Sequence, residues 1–285
     1  MSHSAYEWDV VLDDIIEMVK SKPDSILEKR HDGSTIFHIV AENSNQLDGR
    51  ILAFLIKSNK RGLQIANNFG LLPIHKAVMH HDTDIDELDM LISSHPEGLM
   101  HQSIEGQTPL HLAVTGSKAS IQSVTFILSN VEYGLKSAVV EDRYGHLPLH
   151  KAVSRNNPSE SVIDELLDSC PSACKHPDRN GLLPLHWAVS RSKPNISVIK
   201  KLLLKYPEAA TLKDSSGRLP IDCFLYIDPR TRAERVLRKV PSASYKEREE
   251  LTYMLLCVDD FVADVRKEED EAEDGRLDLE VDVDD

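Results

Sequence analysis

GQTPLHLAVT (Gly106–Thr115) decides how this chain is read, because five near-copies of it recur in register along the sequence. They are GSTIFHIVAE from Gly33, GLLPIHKAVM from Gly70, GHLPLHKAVS from Gly145, GLLPLHWAVS from Gly181 and GRLPIDCFLY from Gly217, with successive glycines 37, 36, 39, 36 and 36 residues apart. A period in this range marks a stacked repeat architecture before any single element is assigned. A second apolar element follows each copy: RILAFLI, DELDMLI, QSVTFIL, SVIDELL and SVIKKLL, then RAERVLRKV after the sixth. The unit therefore reads as two helices joined by a loop.

The residue types at fixed offsets support that reading. Proline stands three residues after the glycine in five copies (Pro73, Pro109, Pro148, Pro184, Pro220). Its locked φ and missing N–H suit the first turn of a helix. The preceding Asp-x-x-Gly segments, Asp142 to Gly145, Asp178 to Gly181 and Asp214 to Gly217, supply the positive-φ residue that a tight reversal needs. Prolines at Pro96, Pro171 and Pro207 mark the ends of second helices.

TPLHLA (Thr108–Ala113) matches the ankyrin signature at every position, and the LPLHxA copies differ from it by one residue. The chain thus resembles ankyrin-repeat proteins over about residues 31 to 240. The resemblance implies an all-α ankyrin-repeat solenoid of six tandem helix-turn-helix units with capping helices. It implies short first helices lining a concave face, turn tips projecting beside them, a histidine that ties neighbouring turns by hydrogen bonds, and protein binding without catalytic residues. Leu72, Leu147, Leu183 and Leu219 stand where the family prefers threonine. Each lost hydroxyl cap is expected to cost about 0.5–2 kcal/mol unless the leucine packs in its place.

The expected organisation is an N-terminal capping half-repeat over 1–30, six repeats over 31–241, an amphipathic helix over 242–267 and a disordered acidic tail over 268–285. Leu251, Met254, Leu255, Val258, Val262 and Val265 recur at steps of three and four, which predicts one continuous helix whose stripe covers the open edge of the last repeat. The competing expectation is that this helix docks the protein, as a regulatory subunit, onto an enzyme or a membrane-bound complex.

The net charge of −14 is concentrated at the end: residues 264–285 hold 12 Asp/Glu and three Lys/Arg, a balance of −9, which leaves −5 for the other 263 residues. Phosphate binding needs a net basic surface, so a nucleic-acid partner is not expected. No apolar run of membrane-spanning length and no secretory leader is present, which points to a monomeric intracellular protein of cytoplasm or nucleus without membrane insertion. Cys170, Cys174, Cys223 and Cys257 match no disulfide framework and no paired CxxC metal site.

His38, His75, His111, His150 and His186 occupy one position per unit. Equivalent positions in a stack lie about 10 Å apart, too far for shared coordination, so neither metal nor cofactor is expected, and no nucleotide-binding or hydrolase motif appears. The binding face should lie where the copies disagree. Tyr144, Lys151, Arg155, Arg179, Trp187 and Arg191 are the candidate protein-binding residues, read as one patch because aromatic and arginine side chains dominate interface hot spots. Their expected ligand is an acidic segment with an apolar anchor. The same basic residues Lys151, Arg155 and Arg191 could instead receive the chain's own acidic tail.

Overall fold

A computed structural model of the chain describes residues 13–14, 16–17, 19–43, 49–79, 84–115, 120–191, 193–225 and 245–267. Contacts divide it into two compact units, residues 1–155 with 159–173, and residues 156–158 with 174–285. Among the described residues every regular element is helical.

In the first unit, first helices of five to seven residues alternate with second helices of nine or ten. They are α1 (Ile36–Glu42) and α2 (Gly49–Ser58), α3 (Pro73–Ala77) and α4 (Ile85–Ser94), α5 (Pro109–Thr115) and α6 (Ile121–Ser129), then a short α7 (Gly134–Ser137), α8 (Pro148–Val153) and α9 (Glu160–Ser169). Helices this short are marginal in isolation. They persist because each first helix packs on the next first helix and each second helix on the next second helix. The second helices bury adjacent pairs one turn apart, such as Leu88, Leu91 and Ile92 in α4, or Val162, Ile163, Leu166 and Leu167 in α9. At the N-terminal side Val19 and Ile26 join one buried cluster with Phe37, Val40, Ile51 and Leu55.

Each second helix runs into a one-turn 3-10 segment, Lys60–Gln64 after α2 and Pro96–Met100 after α4; after α6 its place is taken by α7. The prolines that the sequence suggested as helix ends are thus the first residues of these tighter turns. In the 39-residue unit the surplus chain lies between Ser129 and Ser137 and forms the turn that leads into α7.

The second unit holds α10 (Pro184–Val189), α11 (Ile196–Lys205), the 3-10 turn Pro207–Thr211, α12 (Pro220–Leu225), α13 (Tyr245–Leu256) and α14 (258–267). The single helix expected over 242–267 is interrupted by a bend at Cys257, although Cys257 N–H still reaches Tyr253 O (2.8 Å) and Cys257 O accepts from Phe261 N–H (2.9 Å). Leu251, Met254, Leu255, Val258 and Val262 are buried, as is Phe261, which the stripe had not included. Helix α13 packs on α11 and α12, with Lys200 Nζ 2.8 Å from Glu250 Oε1. The sixth copy's second element, the basic run Arg230 to Lys239, the cluster His80-His81-Asp82 and the tail 268–285 lie outside the described residues.

The turns between repeats are built alike. Asp142 N–H bonds His146 O (2.8 Å), Gly145 N–H bonds Asp142 O (2.9 Å), and Gly145 sits at φ 80°, a tight reversal closed by a left-handed glycine. Successive tips are joined by one backbone bond per junction: Asn68 N–H to Asp32 O (2.9 Å), Ile104 N–H to Phe69 O (3.0 Å) and Arg143 N–H to Glu105 O (2.9 Å) in the first unit, Ser215 N–H to Asn180 O (2.9 Å) in the second. These bonds bring the backbones so close that a Cβ on Gly106 would lie 2.6 Å from Arg143 N, whereas one on Gly217 meets nothing within 4 Å among the described residues. Both glycines have positive φ. Gly217→Ala should therefore cost only the backbone penalty, about 1 kcal/mol, and Gly106→Ala about 3 kcal/mol. Urea unfolding of the two variants checks this, and equal losses would refute the steric part.

Candidate functional site

The repeated histidine is a cap and a tie at once. His38, His75, His111, His150 and His186 each accept, at Nδ1, the backbone N–H of the residue before their helix, Thr35, Leu72, Thr108, Leu147 and Leu183, at 3.1–3.2 Å. A backbone N–H can only donate, so Nδ1 is the bare nitrogen and Nε2 carries the proton. That proton points at a carbonyl of the next repeat: Leu71 O for His38 (2.9 Å), His146 O for His111 (3.0 Å) and Arg218 O for His186 (3.3 Å). Leu72, Leu147 and Leu183 are buried at 1–3 % exposure, so the leucines fill the threonine's place while histidine keeps the cap. In the sixth copy Asp222 Oδ2 accepts the Leu219 N–H (2.9 Å). A carboxylate has no proton to hand on, so this copy keeps the cap without the imidazole's N–H donor.

The turn acids are a second shared device, not anticipated from the sequence. Oδ1 of Asp142, Asp178 and Asp214 each receives two turn N–H groups at 2.8–2.9 Å. The other oxygen turns inward to whatever its own repeat offers. Asp142 Oδ2 takes Lys151 Nζ (2.9 Å), Asp178 Oδ2 takes Trp187 Nε1–H (3.0 Å), and Asp214 Oδ2 takes Arg218 Nε–H (2.8 Å). Burial works to raise the Asp142 and Asp214 pKa values, but the turn N–H groups with the Lys151 ammonium or the Arg218 guanidinium outweigh it and hold both carboxyls below their ordinary value.

These contacts redistribute the candidate binding residues. In the first unit Tyr144 stands at a turn tip, 50 % exposed, with Arg143 and Lys151 over its ring at 5.3 and 5.9 Å and the His146 ring at 5.7 Å. Lys151 is neutralised by buried Asp142, and Arg155 donates from Nη1 to Val114 O (3.1 Å) at the C-terminal end of α5. The expected basic character at Lys151 and Arg155 is thus largely taken up inside the repeats. In the second unit Arg179 is an exposed tip residue and Trp187 is half-buried on α10. Arg191 donates from Nη2 to Asn156 Oδ1, while its buried Nε–H meets no acceptor among the described residues. The six residues are divided between the two units, Tyr144, Lys151 and Arg155 in one and Arg179, Trp187 and Arg191 in the other.

Two exposed apolar tips join Tyr144 in the first unit. Phe69 is 61 % and Ile104 66 % exposed. Ile104 was absent from the candidate set because exposure of a lone turn residue has no periodicity to betray it. Its N–H bonds Phe69 O, so the two side chains issue from adjacent, hydrogen-bonded turns, and Tyr144 comes from the next.

Among the described residues no three His, Cys, Asp or Glu side chains converge as a metal site, and no helix is long and apolar enough to cross a membrane. The Cys223 thiol is pushed up to about 11 by burial, which makes it unreactive.

No protein-family model matches the sequence, and no curated protein matches it. Solved structures do. The chain is similar to a crystal structure of EF0377, an ankyrin repeat protein, with a TM-score of 0.54 at 19 % identity over 68 % of this chain and 91 % of that one. It is one of 308 solved chains that match, and a fold shared so widely names no partner by itself. The repeated turns, paired helices and histidine ties within each unit agree with that likeness: the chain has an all-α ankyrin-repeat fold.

Proposed function

We propose that this chain is a non-catalytic interaction module that binds a protein partner on the face presented by its first helices and turn tips. The observation that carries the reading is the row Phe69, Ile104 and Tyr144, 61, 66 and 50 % exposed on three consecutive turns of a rigid, hydrogen-bonded edge. Large apolar side chains held in the open by an ordered backbone bind at little cost in ordering. In the second unit exposed Arg179 supplies donors for an acidic group, with half-buried Arg191, held by Asn156, as the second base. The rival reading, docking through the stripe of the C-terminal helix, is disfavoured because Leu251, Met254, Leu255 and Val258 are already buried.

Affinity capture from a lysate of the source cell tests it, with the full chain beside Phe69→Ser/Ile104→Ser/Tyr144→Ser and Arg179→Glu/Arg191→Glu. Trp187 is left in place, because removing it would strip buried Asp178 of a donor. Each variant should unfold like the parent, and the captured partner should fall roughly tenfold or more in at least one. Capture of the same proteins by all three would place the interface elsewhere.

A further inference from the structure

Asn180-Gly181 is the one Asn-Gly pair in the sequence, and the fold places it at the tip of the turn Asp178–Gly181 in the second unit, with the Asn180 side chain exposed. Asparagine is thermolabile because the backbone nitrogen that follows can attack its side-chain carbon. Glycine in the next position has no Cβ to hinder that approach. Folding restrains the peptide unit that would have to move. Its carbonyl, Asn180 O, accepts from Ser215 N–H (2.9 Å), the bond that joins this tip to the next, and its N–H, on Gly181, donates to Asp178 O (2.9 Å). The Asp178 carboxylate fastens the same turn from inside, taking Asn180 N–H (2.8 Å) and Leu182 N–H (2.9 Å) on Oδ1 and Trp187 Nε1–H (3.0 Å) on Oδ2.

We infer that Asn180 is a site of spontaneous covalent modification, deamidated at a rate set by the opening of its own turn. In the open turn the Gly181 nitrogen gives up its proton and bonds to Asn180 Cγ. The Cγ–Nδ2 bond breaks, Nδ2 leaves as ammonia with that proton, and a five-membered succinimide closes. One water from solvent then splits the ring, and nothing is oxidised or reduced. Cleavage of the Cγ–N bond yields an ordinary aspartyl residue. Cleavage at the former main-chain carbonyl yields isoaspartate, in which the chain runs through Cβ and Cγ. Isoaspartate lengthens by one carbon a turn already bonded at both ends, so the bonds to Ser215 and to Asp178 cannot both survive, and the tip junction opens.

The first turn shows why the site is at 180. Asp32-Gly33 has the same held peptide unit, with Gly33 N–H on Arg30 O and Asn68 N–H on Asp32 O, both at 2.9 Å. A carboxyl cyclises only in its neutral form, and the Ser34 N–H (3.0 Å) holds the Asp32 carboxyl below its ordinary value. Asp32 therefore persists where Asn180 changes.

The full chain is kept at mildly alkaline pH in buffer and in concentrated urea, and peptide mapping by mass spectrometry scores deamidation and isoaspartate at every asparagine over time. In urea Asn180 should convert first. In buffer it should convert at least about tenfold more slowly, because only the open fraction of the turn reacts. Asp178→Ala, which removes the inner fastening, should speed the conversion in buffer by about tenfold. Aged parent should unfold at lower urea than fresh parent, whereas Asn180→Gln, whose longer side chain would close a less favourable ring, should age without change. Conversion is read with no partner present, so its failure and that of the binding reading are separate. The inference is overturned if another asparagine leads in urea, if Asn180 converts as fast in buffer as in urea or never converts there, if Asp178→Ala converts no faster than the parent, or if aged parent unfolds like fresh.

Discussion

Acidification from about pH 7 to about pH 5 should cost the first unit roughly 4 kcal/mol through His75 and His111 alone. Burial lowers the pKa of His75 from 6.5 to about 3 and that of His111 to about 4, and burial lowers His38 and His186 in the same direction. The tautomer reinforces the shift, since protonation would place a second N–H against the backbone N–H that Nδ1 accepts. A group whose folded pKa is depressed binds fewer protons native than unfolded. Here the stability is fully present above the unfolded value of 6.5 and falls as the pH drops from there toward the folded values. Each of the two contributes about 2 kcal/mol by pH 5, against a total that for most domains is 5–15 kcal/mol. Asp142 and Asp214 do not confound the window, because their lowered pKa values keep them ionised until the pH falls below their ordinary 3.8. Urea unfolding followed by circular dichroism at several pH values reads the effect; a flat profile between pH 7 and 5 would mean that the histidines titrate normally and are not buried ties.

His111→Leu should cost about 4 kcal/mol at neutral pH, whereas Thr108→Leu should cost under about 1 kcal/mol. His111 is 0 % exposed, accepts from Thr108 N–H (3.2 Å) and Oγ1–H (2.8 Å), and donates to His146 O (3.0 Å). Leucine fills the space and leaves a buried N–H and a carbonyl unsatisfied, each worth about 1–3 kcal/mol. Thr108→Leu removes one hydroxyl only, and Leu72, Leu147 and Leu183 show how the same side chain fits at equivalent positions. Chemical denaturation of the two variants separates the roles. If they lose equal stability, the hydroxyl and not the imidazole carries the cap.

Much of the fold was legible in the residues, and particular positions show why. Pro73, Pro109, Pro148, Pro184 and Pro220 each open a first helix, and all six repeat glycines have φ between 72° and 80°. The single helix over 242–267 failed at Cys257, because a stripe at steps of three and four survives a bend that leaves its backbone bonds in place. The candidate site was less legible. Lys151 and Trp187 vary between copies as a binding residue would, yet both are latched to the acid nine positions earlier. At these two positions the variation between copies accompanies a change of partner for one carboxylate oxygen.

The sequence by itself determined the period, the helix starts, the turns and the histidine column, since each depends on a backbone preference acting over a few residues and repeated about every 36. Only the tertiary structure decided which side chains remain available. Gly62 lies where a Cβ would fall on the Phe37 ring, Arg155 caps a helix of the preceding repeat, and Phe69, Ile104 and Tyr144 emerge from three consecutive turns. Exposure and pairing are set by neighbours some 25 to 40 residues away, brought within a few ångströms by stacking, and no local preference encodes that distance.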